Sequence, residues 1–328
     1  MISNDIGVVV IGRNEGERLI NCLKSVKIDA DTIVYVDSGS TDGSTEEALR
    51  LGVSVVNLDT AQPFSAARAR NEGFAALTAL KPDVRFVQFI DGDCELVPGW
   101  LDTVLAFLAK RNDVAVVCGR RREQHPDASI YNRLCDLEWD TPIGEATVCG
   151  GDSMVRSEAF KAVGGYRTQL IAGEEPELCL RLREQGCKIW RLDAEMTRHD
   201  AAIMRFSQWW TRTVRGGYGY TEVARLHKNS QSRIYAREVT RAVVWGGLVP
   251  LGISLGALFH PAAIAGALIY PIQVCQIALR RGAAKSISWT YGIFIIIAKF
   301  AEFQGFLKFH RRRLLRQINT PIEYKQLN

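Results

Sequence analysis

The stretch that most limits what this chain can fold into runs from Val84 to Asp93. Val84 to Ile90 is apolar except for Arg85 and Gln88, and reads as a buried strand of a parallel sheet. It ends in Asp91-Gly92-Asp93. In an open α/β sheet, ligands collect beyond the carboxyl ends of the strands, so a pair of charges there sits where binding is expected. Two carboxylates leaving a hydrophobic strand together repel each other, and a cation relieves that repulsion. Gly92 allows a tight turn and a close backbone approach. Taken alone, the triplet is more readily an acidic turn before the helix expected from Pro98 to Lys110, because short motifs match by chance. The rest of the chain reverses that balance.

Gly7 to Gly12 is a short β-branched strand, and Asn14 to Leu19 opens a helix that runs to Val26 with Leu19, Ile20 and Leu23 on its apolar face. A second strand, Thr32 to Val36, stops at the turn cluster Asp37 to Ser44, and a helix follows from Thr45 to Leu51. Val53 to Leu58 is a third strand, and Ser65 to Leu80 is helical. Strand and helix alternating in units this short predict right-handed crossovers and a mostly parallel sheet flanked by helices, the α/β class.

Several residues stand where this architecture puts ligands, each with two readings. Asp37 ends a strand at the ligand edge and either accepts from a nucleobase N–H or bonds its own turn; the ligand role is favoured there, and Asp42 is given the turn role. Glu15 either accepts from a ribose hydroxyl or caps a helix. Arg68 and Arg70 lie two apart on a helix and face different ways, so one of them reaches an anion. Arg120-Arg121-Arg122 follows a strand at Asp113 to Cys118 and is either a solvated edge or a docking site for an anionic partner. Glu174, Glu175 and Glu177 crowd one first helical turn, which the helix dipole favours, and Glu177 is assigned to that role.

Four segments in order, Ile11-Gly12-Arg13-Asn14-Glu15, Val36 to Gly43, Arg68 to Gly73 and Asp91-Gly92-Asp93, resemble the family 2 glycosyltransferases, enzymes of the GT-A fold, over residues 6 to 200. That resemblance implies a nucleotide-sugar site at Gly12, Asn14, Glu15, Asp37, Arg70 and Asp91. It implies a divalent cation, Mg2+ or Mn2+, at Asp93 with Asp91 and His199. Thr147 to Val155 is similar to the family's glycine-rich acceptor-side strand, which places Gly151 and Asp152 on the acceptor side. Ile171 to Leu182 looks like its Glu-Asp box, with Glu175 at the position of the catalytic base. The box here reads Glu-Glu, so Glu174 also stands as a candidate. In an inverting transfer the acceptor hydroxyl attacks the anomeric carbon while a carboxylate takes its proton.

Of the 328 residues, 47% are hydrophobic and the net charge is +5, with arginine and lysine concentrated from Arg198 onward beside the hydrophobic runs. That asymmetry points to a membrane surface or an anionic partner and away from nucleic acid. The eight cysteines show no Cys-x-x-Cys pair, which fits reduced thiols in a cytoplasmic domain. Met1 to Asp5 lacks the basic region of a signal peptide. Three parts are expected: a GT-A domain at 1–202, interfacial amphipathic helices at 203–240 and a membrane anchor at 241–328. Aromatics among arginines in Met204 to Leu226 predict a helix in the headgroup layer. Ala242 to Phe259 and Pro261 to Leu279 are candidate spans. Ile287 to Phe309 is broken by Lys299, Glu302 and Lys308, and is expected in the interface, which keeps the basic segments on one side of the membrane. The expectation is a transferase on the cytoplasmic face of the inner membrane, taking a UDP- or GDP-sugar to a lipid-linked or surface glycan. The alternatives are a catalytically degenerate membrane scaffold and a sugar nucleotidyltransferase, and the latter lacks its expected lysine-containing glycine loop after the first strand.

Overall fold

The computed structural model describes residues 5–316, so Met1 to Asn4 and the end of the basic tail beyond Arg316 lie outside the described residues. Two compact units emerge: one holds the chain through Gln169 and again Glu174 to Met204, the other holds Leu170–Gly173 and the chain from Arg205.

The first unit is built on a sheet of nine strands. They are β1 (Ile6–Gly12), β2 (Ile33–Asp37), β3 (Ser54–Asn57), β4 (Phe86–Asp91), β5 (Cys94–Leu96), β6 (Val114–Glu123), β7 (Gly144–Ala146), β8 (Ser153–Arg156) and β9 (Lys188–His199). Their order is β3-β2-β1-β4-β8-β6-β9-β5, with β7 also on β9. The strands β3, β2, β1 and β4 are parallel, as the alternating pattern predicts. Beyond them the sheet departs from a mostly parallel one. β8 runs antiparallel to both β4 and β6, and β5 and β7 run antiparallel to β9, leaving β6 and β9 as the further parallel pair. A short strand that returns from a loop, without a crossover helix before it, is free to run antiparallel.

Helices α1 (Glu17–Val26), α2 (Ser44–Arg50), α3 (Ala66–Leu80), α4 (Trp100–Leu108), α5 (Ile130–Glu138), α6 (Ser157–Ala162) and α7 (Glu174–Glu184) complete this unit. Alternate residues of each central strand serve opposite faces. Val8, Val10, Phe86 and Ile90 join the core with Leu19, Leu23, Trp100 and Val104, while Val9, Val87 and Phe89 face Leu77, Phe160 and Leu178. Gln88, the polar interruption in the opening stretch, is fully buried, and its Oε1 accepts from Trp100 Nε1 at 2.9 Å. Gly73 has a steric cause, since a Cβ there would lie 2.8 Å from Val36 Cγ2 and overlap Val9. It lets α3 settle on the sheet and fixes the height of Arg70, one turn earlier.

The second unit holds α8 (Phe206–Leu226), α9 (Ala236–Val243), a π turn (Val244–Leu248), α10 (Val249–Phe259), a 3-10 segment (Pro261–Leu268), α11 (Ile269–Arg281) and α12 (Ser286–Leu314). Two helical runs among the described residues, Ala236–Phe259 and Pro261–Arg281, are long and apolar enough to cross a membrane, with mean hydropathy 1.9 and 1.7. Their apolar side chains are largely uncovered, and Leu258 and Phe259 are 80% and 90% exposed. The expected headgroup helix is more deeply packed than its sequence implied. On α8, Trp209 and Tyr218 are buried, with Trp209 edge-on to Phe294 and Tyr218 to Phe309 of α12. Gly217 and Gly305 open that crossing; a Cβ on Gly305 would sit 2.5 Å from Tyr218 N. Small residues at a helix crossing let backbones approach. Two of the three charges that interrupt α12 neutralise each other, with Lys299 Nζ 2.6 Å from Glu302 Oε2.

Gly73→Ala is expected to lower stability by about 1–3 kcal/mol through overpacking of α3 against the sheet. The urea midpoint of the helical signal reads this, and an unchanged midpoint contradicts the packing account.

Candidate active site

Strand register gathers the polar residues. Parallel pairing sets Gly12 beside Asp37 and Ile11 beside Asp91, so the loops after β1, β2 and β4 leave the sheet at one edge. Antiparallel pairing of β5 with β9 sets Cys94 opposite His199.

The first two loops are stitched together. Asn14, at φ 54°, donates its N–H to Ser40 Oγ and accepts from Thr41 N on Oδ1, both at 2.8 Å. Asp42 holds its own turn through Ser44 N and also accepts from Gly16 N at 2.9 Å. Asp37 is 3% exposed and accepts from Tyr35 Oη, Gly39 N and Ser40 N, each at 2.8 Å. Those bonds hold the turn that follows β2. Glu15 lies 2.7 Å from Arg18 on the helix it precedes.

At the end of β4 the site becomes a charge cluster. Arg70, 2% exposed, sends Nη2 to Asp91 Oδ1 at 2.8 Å and Nη1 to Glu175 Oε1 at 2.9 Å and Glu174 Oε1 at 3.2 Å. Its guanidinium carbon also lies 5.6 Å from the Tyr166 ring centroid. The arginine expected to reach for a diphosphate is thus committed to three carboxylates. Arg68 faces the other way and donates to Asp59 O. Gly151 touches the same cluster, since a Cβ there would overlap Arg70 Nη2 and lie 3.0 Å from Asp91 Oδ2 and 3.2 Å from Glu175 Oε1.

Asp152, expected to meet an acceptor, is 1% exposed and supports the motif from behind. It accepts from Asp91 N at 3.0 Å, Thr197 Oγ1 at 2.7 Å and Arg121 Nε at 2.9 Å. Arg121 in turn lies 3.4 Å from Asp91 Oδ2. The three arginines part company: Arg122 stays at the solvated edge, 54% exposed and 3.4 Å from Glu195, while the other two turn inward. β6 extends through them with register shifts at Cys118/Arg120 and Arg120/Arg121, and Arg120 is buried against Asp136 at 3.1 Å. Bulges re-aim side chains, and these turn Arg121 into the site. Glu177 is buried rather than a simple first-turn acid, and holds Arg167 and Arg181 at 2.6 and 2.7 Å. Thr147 to Asp152 is a loop that leads into β8. Arg121 and Thr197 were not singled out as site residues from sequence. The one signal was an arginine run continuing an apolar strand, and a bulge defeats the period of two that would assign its faces.

Titration follows from these contacts. Burial opposes ionisation of Asp91, but Arg70 and then Arg121 outweigh it and hold that carboxyl below its usual range. Burial and then the adjacent Glu174 charge push the Glu175 carboxyl up to about 7, against the pull of Arg70. Glu175 is also the more open of the pair, 15% exposed at its side chain against 5% for Glu174.

A cation fits beside Asp93. Its Oδ2 lies 3.2 Å from His199 Nε2, and the ligand atoms of Asp93, Cys94 and His199 fall within 4.8 Å of one another. Burial, with the Asp152 charge behind it, pushes the Cys94 thiol up and keeps it protonated, which leaves carboxylate and imidazole as donors. His199 Nδ1 is buried without a hydrogen bond, 4.0 Å from Glu123 Oε2. Hard oxygen donors with room for water suit Mg2+ or Mn2+.

The family model described as glycosyl transferase family 2 matches residues 7–163, and that described as the N-terminal domain of galactosyltransferase matches residues 135–203. The pre-mycofactocin glycosyltransferase of Mycobacterium tuberculosis is 25% identical over 274 residues, 77% of this chain and 54% of that protein. Succinoglycan biosynthesis protein ExoA of Rhizobium meliloti is 31% identical over 174 residues, 49% of this chain and 51% of that protein. The chain spans about half the length of these curated relatives. Among solved structures, the mannosyltransferase PcManGT of Pyrobaculum calidifontis, in complex with GDP-Man and Mn2+, is similar with a TM-score of 0.61 at 16% identity, covering 93% of this chain and 87% of that one. That likeness shows a shared fold.

The raised Glu175 pKa has a measurable sign. The folded carboxyl titrates near 7, above its unfolded value of about 4.3, so folding takes up a proton between those values. The stability contributed by this group is complete below about pH 4 and is lost as pH rises through 7. Glu175→Gln is expected to flatten that decline, which reaches about 1.4 kcal/mol per pH unit at its steepest. Urea titrations across pH 4 to 8 check it, and parallel profiles for parent and variant contradict it.

Proposed function

The chain carries a family 2 glycosyltransferase domain of the GT-A fold, and from that premise we propose that it moves a sugar from a nucleoside diphosphate donor to a membrane-held hydroxyl acceptor, with inversion. The observation that carries the reading is the cluster at the carboxyl edge of the sheet: Asp91, Asp93 and His199 on one side, Glu175 on the other, with Arg70 between Asp91 and Glu175.

Glu175 is the proposed base. A base works best with a pKa near the working pH, and a carboxyl titrating near 7 meets that condition where an ordinary one does not. Glu174, more buried and paired to the same Arg70 nitrogen, is its positioning partner. Holding the attacking oxygen, the anomeric carbon and the leaving diphosphate in line supplies much of the remaining acceleration. Arg70 ties the end of β4 to the start of α7 and so fixes the donor edge relative to the base. Asp93 and His199, with Asp91 at the start of the same triplet, are the proposed holders of Mg2+ or Mn2+. When bound, such an ion offsets the charge that develops on the departing diphosphate. Gly12, Asn14, Glu15 and Asp37 shape the loops at the nucleotide end; the bonds of Asn14 to Ser40 and Thr41 and of Asp37 to Gly39 fix those loops and leave the choice between UDP- and GDP-sugars open.

The membrane part of the proposal rests on the second unit. Two adjacent apolar helical runs with exposed Leu255, Leu258, Phe259, Ile264 and Leu268 would be costly in water and are at home in lipid. A lipid-linked sugar, polyprenyl phosphate or surface glycan at a cytoplasmic membrane face is the acceptor class this favours.

The test is nucleoside diphosphate release by detergent-solubilised protein with Mn2+, across UDP-, GDP- and dTDP-sugars, with and without membrane lipid extract. One donor is expected to give release that requires the extract. Asp93→Ala and Glu175→Gln are each expected to lower it by at least about a hundredfold, while Glu175→Gln retains donor binding. Full turnover by Glu175→Gln would remove that residue as base, and release without extract would remove the membrane-held acceptor.

A further inference from the structure

We propose that Cys149 and Cys179 form a reversible disulfide site that distorts the active site when oxidised. The inhibitory half rests on the proposed function, whereas the crosslink stands apart from it. The two Sγ atoms lie 3.4 Å apart, in contact though thirty positions separate them. Cys179 is fully buried on α7, one turn beyond Glu174 and Glu175, and Cys149 is half-buried in the loop before β8, two residues before Gly151. The pair therefore joins the two segments that meet at Arg70.

A low-molecular-weight disulfide supplies the chemistry. The Cys149 thiolate, on the accessible side, attacks one sulfur of the oxidant, forms a mixed disulfide and expels one thiolate. The Cys179 thiol then loses its proton and attacks Cys149 Sγ, expelling the second thiolate. One bond joins the protein sulfurs, the oxidant is reduced to two thiols, and the two protein protons pass to them. The contact with Cys149, and then burial, push the Cys179 thiol up, so the second step is the slow one and quickens with pH.

The bond draws the sulfurs from 3.4 Å to about 2.05 Å. That movement falls on a loop without slack, because Gly151 already lies against Arg70, Asp91 and Glu175 with no space for a Cβ. A displacement of about 1 Å of a catalytic group costs on the order of a hundredfold in rate.

The experiment treats the reduced, detergent-solubilised full chain with oxidised glutathione at pH 8, then reads peptide masses and nucleoside diphosphate release. A Cys149–Cys179 crosslinked peptide without retained glutathione is expected, with release falling at least tenfold and returning on addition of dithiothreitol. Cys149→Ser and Cys179→Ala are expected to keep the reduced parent's activity and to resist this inhibition. A stable glutathione adduct at Cys149, a crosslink through Cys118 instead, or a Cys149–Cys179 crosslink with full activity would each overturn the proposal. If the reduced protein releases nothing from any donor, the functional reading fails, while the mass of the crosslink still decides the site.

Discussion

A guanidinium removed from water is tolerated only when carboxylates surround it, and Arg70 meets that demand with groups from two distant parts of the chain. Asp91 belongs to the end of β4; Glu174 and Glu175 begin α7. Every other feature of the site adjusts to this junction. Gly73 lets α3 sit low enough on the sheet to deliver the arginine, and Gly151 keeps the neighbouring loop free of a side chain where the charges meet. Removing Arg70 would leave three carboxylates facing one another under cover. The same residue thus sets the fold of the site and the spacing of its chemistry.

Much of this was readable in the sequence, for a definite reason. β1, β2 and β4 are continuous apolar runs between turn residues, and their carboxyl ends are the ligand edge of any such sheet. Period and composition therefore placed Asp37, Asp91 and Asp93 at one edge. What sequence could not give is which donors each carboxylate meets. Asp37 and Asp42 both look like turn or ligand residues, and only the register of Asn14 against Ser40 and Thr41 shows how the two loops lock. Asp152 follows two glycines and looks available, yet Thr197 and Arg121 arrive from β9 and β6 to occupy it. The antiparallel half of the sheet was hidden for the same reason, because three- and four-residue strands carry too little periodicity to show their direction.

The second unit shows a similar division. Two apolar runs were evident from composition alone, because hydrophobic length is a property of local sequence. The partner of α8 was not. Its aromatic and arginine content suits a headgroup layer, but Gly217 against α12 and Gly305 against α8 mark a close crossing that needs both helices to be seen together. The Lys299–Glu302 pair explains how α12 continues unbroken through charges that seemed to end its apolar core.

Charge balance ties the metal proposal to the base. Asp91, Asp93, Asp152, Glu174 and Glu175 bring five carboxylates to one edge, and Arg70 and Arg121 bring two guanidiniums, so three negative charges remain before His199 is considered. Such an excess is costly under partial burial, and two remedies exist: a proton or a cation. The raised pKa of Glu175 is the proton remedy. A divalent ion beside Asp93 and His199 would be the other, and its field would favour the ionised form of nearby carboxylates. The two remedies compete for the same excess, so a donor that arrives with its cation would help bring the base into its working form. Burial, and then the charge of Glu174, would keep the proposed base protonated until that point.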